Sequence, residues 1–382
     1  MENEKKFSYQ VIDTESKLKD FAKTLEGEAD IAADLEADSM YHFKEKVCLL
    51  QMATPKANVI IDPLQVRDLS PLIPFFKRHD IRKILHGADY DIRSLHRDFS
   101  IEINNLFDTQ IACRFLGYRE TGLEAVLQRR FSITLDKKYQ RKNWSQRPLP
   151  ADMMEYAAKD AIYLVSLANA LEKELEAKGR VSWVHEECDE LTKVRAETSN
   201  GNLLCLRFKG AGRLRPRRLG ILESLLHFRQ DIAEKKDRPV FKILGNDSLL
   251  GISKLKPVSL RELERTKTLS RKQVNMYGDG LVECVRTALE IPEKDLPVYP
   301  RKKGPVLSPK VPARVNSLKR WRNMKAQELE MDPALICNKL LLTMIAIKNP
   351  RDTESLKAVR EMKNWQQETF GEEIVDVLKK RG

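Results

Sequence analysis

The sequence predicts an α/β domain built on a mixed sheet, followed by all-helical domains. Three observations predict it. Apolar runs of strand length alternate with helical-period segments over residues 1–178. From about Arg215 onward the apolar spacing is helical throughout, apart from one proline-rich break. The charge divides in the same place: residues 1–180 hold 28 Lys and Arg against 29 Asp and Glu, whereas 181–382 hold 40 against 27, so the positive excess behind the net charge of +12 lies in the C-terminal part. Such asymmetry fits a C-terminal part that approaches a polyanion, nucleic acid first; a basic face that only meets water is the other reading.

Phe7 to Ile12 reads as the first strand, and Leu18, Phe21, Ala22 and Leu25 follow at helical spacing. The stretch Ile31-Ala-Ala-Asp-Leu-Glu-Ala-Asp38 is a strand that turns acidic at every second residue. Side chains alternate along a strand, so Asp34, Glu36 and Asp38 share one face. Carboxylates that close repel unless a hard cation lies between them, which makes this either a site for a divalent ion or an exposed strand end. Val47 to Met52 and Val59 to Ile61 continue the sheet as a meander. Ser70-Pro71 suits the start of a helix running to about His79, and Ile81 to Leu85 is the next strand. It enters His86-Gly-Ala-Asp-Tyr-Asp91 and then a helix marked by Ile92, Leu95, His96 and Phe99. Asp108 is placed to cap a helix ending near Gly117, and Leu123, Val126 and Leu127 belong to another. One long helix is expected from Pro150 to Gly179, presenting Tyr156 and Asp160 together at i and i+4. That pair reads equally as a hydrogen bond across one helical turn or as part of a site.

Residues 181–198 read as a connecting helix. The segment from Ser199 to Leu219 contains Arg207, Lys209, Arg213, Arg215, Arg217 and Arg218 and no acid, which suits phosphate contact or a solvated lead into the next domain. Six prolines between Ile291 and Ala313 predict a stiff, extended linker. Helices resume at 316–382, where Trp321 and Trp365 fit a small core better than base stacking. The composition, 42% hydrophobic and 32% charged, includes no apolar run near the roughly 20 residues a bilayer span needs, and MENEKKFSYQ lacks a signal-peptide core, so a cytoplasmic protein is expected. The six cysteines are scattered without zinc-ligand spacing, which predicts reduced, mostly buried thiols.

Asp34-x-Glu36, the Asp91 of HGADYD and Tyr156-x3-Asp160 resemble, in order and spacing, the three signatures of the DEDDy 3′–5′ exonuclease family. The segments LFDTQIACRFLG, TLDKKYQRKNW, RPLP and EYAAKDAIYL are similar to its ribonuclease D branch, and the resemblance covers about residues 7–180. The helical region from Arg215 resembles the HRDC domain, and 316–382 resembles a second, degenerate copy. The resemblance implies a ribonuclease H-like exonuclease domain with its connecting helix over 1–198, HRDC domains at 211–293 and 316–382, and a linker at 294–315. It implies two divalent ions, Mg²⁺ or Mn²⁺, held by Asp34, Glu36, Asp91 and Asp160, with Tyr156 positioning the attacking water. Within HGADYD the register selects Asp91 and leaves Asp89 as a helix cap. Asn143 departs from the Asp that relatives often carry before the Trp. The implied activity is 3′–5′ exoribonuclease hydrolysis releasing nucleoside 5′-monophosphates. Structured RNA, tRNA precursors above all, is the implied partner, with no membrane and no obligate protein partner. Arg207, Arg213, Arg215, Arg217 and Arg218 are the candidate RNA contacts. A DNA exonuclease and a non-catalytic RNA-binding scaffold are the alternatives.

Overall fold

The computed structural model describes residues 8–196, 201, 203–300 and 308–380. By packing, the chain divides into one compact unit drawn from Met1–Ala37, Val47–Ala196 and Gly304–Gly382, and a second from Asp38–Lys46 and Glu197–Lys303.

The first unit is organised on a six-stranded mixed sheet: β1 (Gln10–Ile12), β2 (Asp30–Ala37), β3 (Val47–Ala53), β4 (Asn58–Ile61), β5 (Arg82–Leu85) and β6 (Leu106–Asp108). Their spatial order is β1-β4-β3-β2-β5-β6. The meander expected from the sequence is present, since β2–β3 and β3–β4 pair antiparallel. Pairs β1–β4, β2–β5 and β5–β6 are parallel, so crossover segments cover the sheet. β3 is buried along its whole length, which explains its unbroken apolar run.

The crossovers and covering helices are α1 (Glu15–Thr24), α2 (Ile73–Lys77), α3 (Asp89–Phe99), α4 (Thr109–Phe115), α5 (Leu123–Phe131), α6 (Ala151–Ile162), α7 (Leu164–Ala177) and α8 (Val181–Leu191). Asp108 caps α4 as expected, its carboxylate accepting from the Gln110 and Ile111 amides. Three local expectations are corrected. Ser70 caps no helix: it lies inside a 3₁₀ turn, Ser70–Leu72, its own amide held by Asp68, and α2 stops at Lys77. Asp89 is the first residue of α3 and pairs with Arg93 one turn on at 2.7 Å, while Ala88 occupies the cap position without a side-chain bond. The helix expected over 150–179 is interrupted at Tyr163, which lets α6 lie across β2, β3 and β4 while α7 packs on α4.

The second unit holds α9 (Pro216–Lys235), α10 (Val240–Ile243), α11 (Asn246–Leu255), α12 (Leu260–Arg265) and α13 (Arg271–Glu290). It has its own core, centred on Leu222, Leu225, Leu249, Ile252, Leu281 and Val285. Ser270 and Gln273 form a capping box at the start of α13.

Residues 301–307 of the expected linker lie outside the described residues. After them come α14 (Val311–Glu328), α15 (Pro333–Ile336), α16 (Lys339–Lys348), α17 (Thr353–Leu356) and α18 (Asn364–Lys379). Their apolar residues join the same continuous core as the sheet. Trp365 stacks on Trp183 of α8, centroids 4.7 Å apart, so the core reading of this tryptophan holds. Trp321 is likewise buried, against Phe370. Glu186 accepts from the Asn364 and Trp365 amides at 2.8 Å each and so caps α18 from another helix. Buried Arg180 donates to the carbonyls of Phe115 and Leu329, tying both sides of this seam.

None of the six cysteines is in a disulfide, and five of them are buried. Among the described residues, no helix is long and apolar enough to cross a membrane.

Candidate active site

β2 lies between antiparallel β3 and parallel β5, so its side chains stand at the middle of the sheet. Asp34 pairs opposite Gln51 and Glu36 opposite Leu49, and the register slips between Glu36 and Ala37. Period-two alternation places Asp34 and Glu36 on one face, as the sequence predicts. The slip ends the series: Asp38 is fully buried elsewhere and accepts the Lys46 amide at 2.8 Å, so it does not join its two neighbours.

Asp91 is the third residue of α3. The turn before it is pinned by Asp108, whose two oxygens accept from the Gly87 and Ala88 amides at 3.0 and 2.8 Å while also capping α4. α6 supplies Tyr156 and Asp160 from one of its faces, far from α3 in sequence but at the same acidic centre.

Asp34, Glu36 and Asp160 each offer a carboxylate oxygen within 4.8 Å of the others. Asp91 lies within electrostatic reach of both Asp34 and Glu36. Burial pushes the Asp34 carboxyl up to about 7. Burial, then the charge of Asp34, lifts Asp160 to about 8. Glu36 and Asp91 are raised well above the usual carboxylate range, again by burial first and by neighbouring acids second. Four acids drawn from a strand and two helices are thus held together against their own repulsion, an arrangement that favours functional groups over packing groups.

Asp34, Glu36 and Asp160 open into a cavity of about 460 Å³ whose walls include His86, Gln110, Glu124 and Gln140. Tyr156 stands at its edge, its ring packed between Tyr139 (5.7 Å) and the fully buried Trp144 (6.1 Å). Burial and the facing Asp160 carboxylate push the Tyr156 phenol up, so it keeps its proton.

The sequence reading missed His86, Glu124 and Gln140 as cavity walls: His86 stands in HGADYD and Gln140 in TLDKKYQRKNW, but the acids and the tyrosine took the functional reading there, and Glu124 stands in no motif. It also missed Gln51, fully buried opposite Asp34 with both amide atoms unpartnered among the described residues. A polar residue inside an otherwise apolar strand, VCLLQMA, was the available signal.

The arginine candidates belong to the second unit, whereas the four acids belong to the first. Arg217 is engaged structurally: its guanidinium donates to the carbonyls of Ala288, Leu289 and Ile291 and closes the end of α13. Arg207, Arg213 and Arg215 are exposed and Arg218 is half-buried.

Comparison with known proteins adds an independent line. Residues 9–176 match the family model of a 3′–5′ exonuclease, and 218–285 and 312–378 each match the HRDC domain. Ribonuclease D of Serratia proteamaculans is 30% identical over 76% of this chain and 78% of its own length. The chain belongs to the ribonuclease D family. It is accordingly a 3′–5′ exoribonuclease, with the mixed-sheet exonuclease domain and C-terminal HRDC helices of that family. The crystal structure of Escherichia coli RNase D, described as an exoribonuclease involved in structured RNA processing, superposes with a TM-score of 0.74 at 25% identity, covering 98% of this chain and 99% of that one. Protein RRP6-like 2 of Arabidopsis thaliana is also 30% identical over 72% of this chain, though the match spans only 33% of that longer protein. Ribonuclease D therefore accounts for both halves of the chain, whereas the plant protein extends well beyond it.

Proposed function

We propose that Asp34, Glu36, Asp91 and Asp160 hold two divalent ions, Mg²⁺ or Mn²⁺, and that the site trims single nucleotides from the 3′ end of structured RNA, tRNA precursors among them. The observation that carries this reading is the convergence of three carboxylates within 4.8 Å. The donor set fits such ions: every ligand atom is oxygen, the preference of hard cations, and the raised carboxyls of Asp34 and Asp160 show a cluster short of positive charge. When bound, the ions supply activation of water and stabilisation of charge on the leaving oxygen.

The chain's own residues do the positioning. Asp34 and Glu36 are fixed by the strand ladder, and Asp91 by the Asp108-pinned turn. The protonated Tyr156 donates a hydrogen bond, so it orients the attacking water and leaves deprotonation to other groups. Water adds to the terminal phosphorus, the bond to the preceding nucleotide's 3′ oxygen breaks, and that oxygen takes a proton. The products are a nucleoside 5′-monophosphate and an RNA shorter by one residue. Six cysteines outside any disulfide suit a reducing compartment, in keeping with action in the cytoplasm.

The test uses 5′-labelled structured RNA and matched DNA, each with Mg²⁺, Mn²⁺ or EDTA, resolved at single-nucleotide steps. Stepwise shortening of RNA, lost in EDTA, is expected. Preferential shortening of DNA supports the DNA exonuclease reading instead, and a single internal cut rules out exonucleolysis.

A further inference from the structure

A second and larger cavity, about 800 Å³, lies at the seam between the exonuclease helices and the C-terminal helices of the same unit. One wall carries Arg114 of α4, Arg119 of the α4–α5 connection and Arg129 of α5; the other carries Glu330 and Asp332. The three arginines are exposed, and none forms an ion pair among the described residues. This separates them from neighbours such as Arg82 and Arg130, each matched to a carboxylate. Arg129 lies over the Tyr118 ring at 4.2 Å, which holds its guanidinium at the cavity face. The opposing acids are partly occupied: Asp332 caps α15, and Glu330 lies 3.8 Å from Lys178.

The position of this cavity gives the arginines a use. Tyr118, Arg119 and Thr121 line it, while the next residues, Gly122, Leu123 and Glu124, line the acidic cavity. One short connection is therefore the shared wall of both. A strand whose 3′ end reaches the four acids continues away from them in the 5′ direction, with a phosphate at every step. We propose that the seam cavity is the subsite for the RNA nucleotides upstream of the scissile bond, their phosphates held by Arg114, Arg119 and Arg129; this rests on the exonuclease reading above. Unpaired guanidiniums present rigid forks that match phosphate oxygens. The carboxylate wall repels phosphate and confines the backbone to the arginine side, leaving acceptors for sugar hydroxyls. The volume is in the range that takes a nucleotide-sized group.

The experiment measures equilibrium binding of a 5′-fluorescein single-stranded RNA of about twelve nucleotides to the full-length protein in EDTA, across a salt series. The triple variant Arg114→Ala, Arg119→Ala, Arg129→Ala is expected to bind roughly tenfold more weakly, with a log–log salt slope shallower by about 2, the value for three lost phosphate contacts on a single strand. Cleavage in Mg²⁺ of a dinucleotide lacking a 5′ phosphate, whose single phosphate is the scissile one, is expected to match wild type. Arg119→Glu alone, outside any helix, is expected to weaken the longer RNA further than Arg119→Ala, and thermal melting checks that each variant folds. An unchanged affinity and slope for the longer RNA overturn the proposal, as does an equal loss in cleavage of the dinucleotide. A wild-type protein that shows the arginine-dependent slope yet never shortens RNA sinks the exonuclease reading and with it the upstream-subsite assignment, leaving the arginines as RNA contacts only. Shortening with an unaltered slope does the reverse.

Discussion

Gly117 lies against the carbonyl oxygen of Glu330, where a Cβ built on the glycine would stand only 2.1 Å away. Its φ of +87° is also one that side chains with a Cβ rarely adopt. Gly117→Ala therefore meets strain and collision at once, at the seam between the exonuclease helices and α14–α18. A loss of more than about 2 kcal/mol is expected, read as a lower melting temperature and faster proteolysis of the C-terminal helices. Melting indistinguishable from wild type would show that the seam yields easily.

Glu186 provides a second test of that seam. Its carboxylate closes the free amides at the start of α18, so Glu186→Ala is expected to cost about 1–2 kcal/mol in urea unfolding. Glu186→Gln, which keeps an acceptor oxygen, is expected to recover part of the loss. Equal stability of the two variants would assign the effect to something other than capping.

At the acidic centre, Asp34→Asn removes one of several crowded negative charges. Turnover is expected to fall to background while RNA affinity in EDTA stays close to wild type. The same change is expected to abolish the rise in melting temperature that Mn²⁺ produces in wild type, a rise worth about 2.7 kcal/mol at a hundredfold excess over the dissociation constant. Undiminished cutting by a pure variant would exclude Asp34 from the reaction.

Buried Lys83 predicts a pH dependence. Burial pushes its amine down to about 8 from 10.5, and it donates to the Ile81 carbonyl at 2.6 Å. Between those two values the unfolded chain holds a proton that the folded chain has released, so stability rises with pH across that window. The stability of wild type relative to Lys83→Met is expected to increase by about 1 kcal/mol per pH unit there, measured by urea melts. A flat difference would mean that the amine titrates normally.

Gln51 sits opposite Asp34 with an unsatisfied amide, a burden that packing alone does not explain. Gln51→Leu is expected to raise stability by about 1 kcal/mol and lower kcat, since the polar neighbour of a ligand is lost. A more stable variant with full activity would reduce Gln51 to an accident of packing.

Much of this was legible in the chain. Alternation along Ile31–Asp38 identified Asp34 and Glu36 because strand geometry enforces it, and Asp108 as a cap followed from its place before an apolar helical run. Asp38 misled because a register slip in a ladder leaves no mark on local composition. The break at Tyr163 was hidden for a related reason: both halves keep the same buried period, and only their different neighbours demand a bend. The charge pattern drew attention to Arg217 as one of a basic run, whereas its role depends on carbonyls 71 to 74 residues away. The seam arginines, scattered over α4, its following connection and α5, have no local pattern at all.

The continuous apolar core beneath the sheet and α14–α18 constrains how such a gene can be shortened. A stop codon ahead of Val311 would strip Trp365 and Phe370 from the tryptophan and phenylalanine they cover, leaving greasy surface open to water and self-association. The α9–α13 helices enclose a nucleus of their own, so the same truncation leaves that core complete.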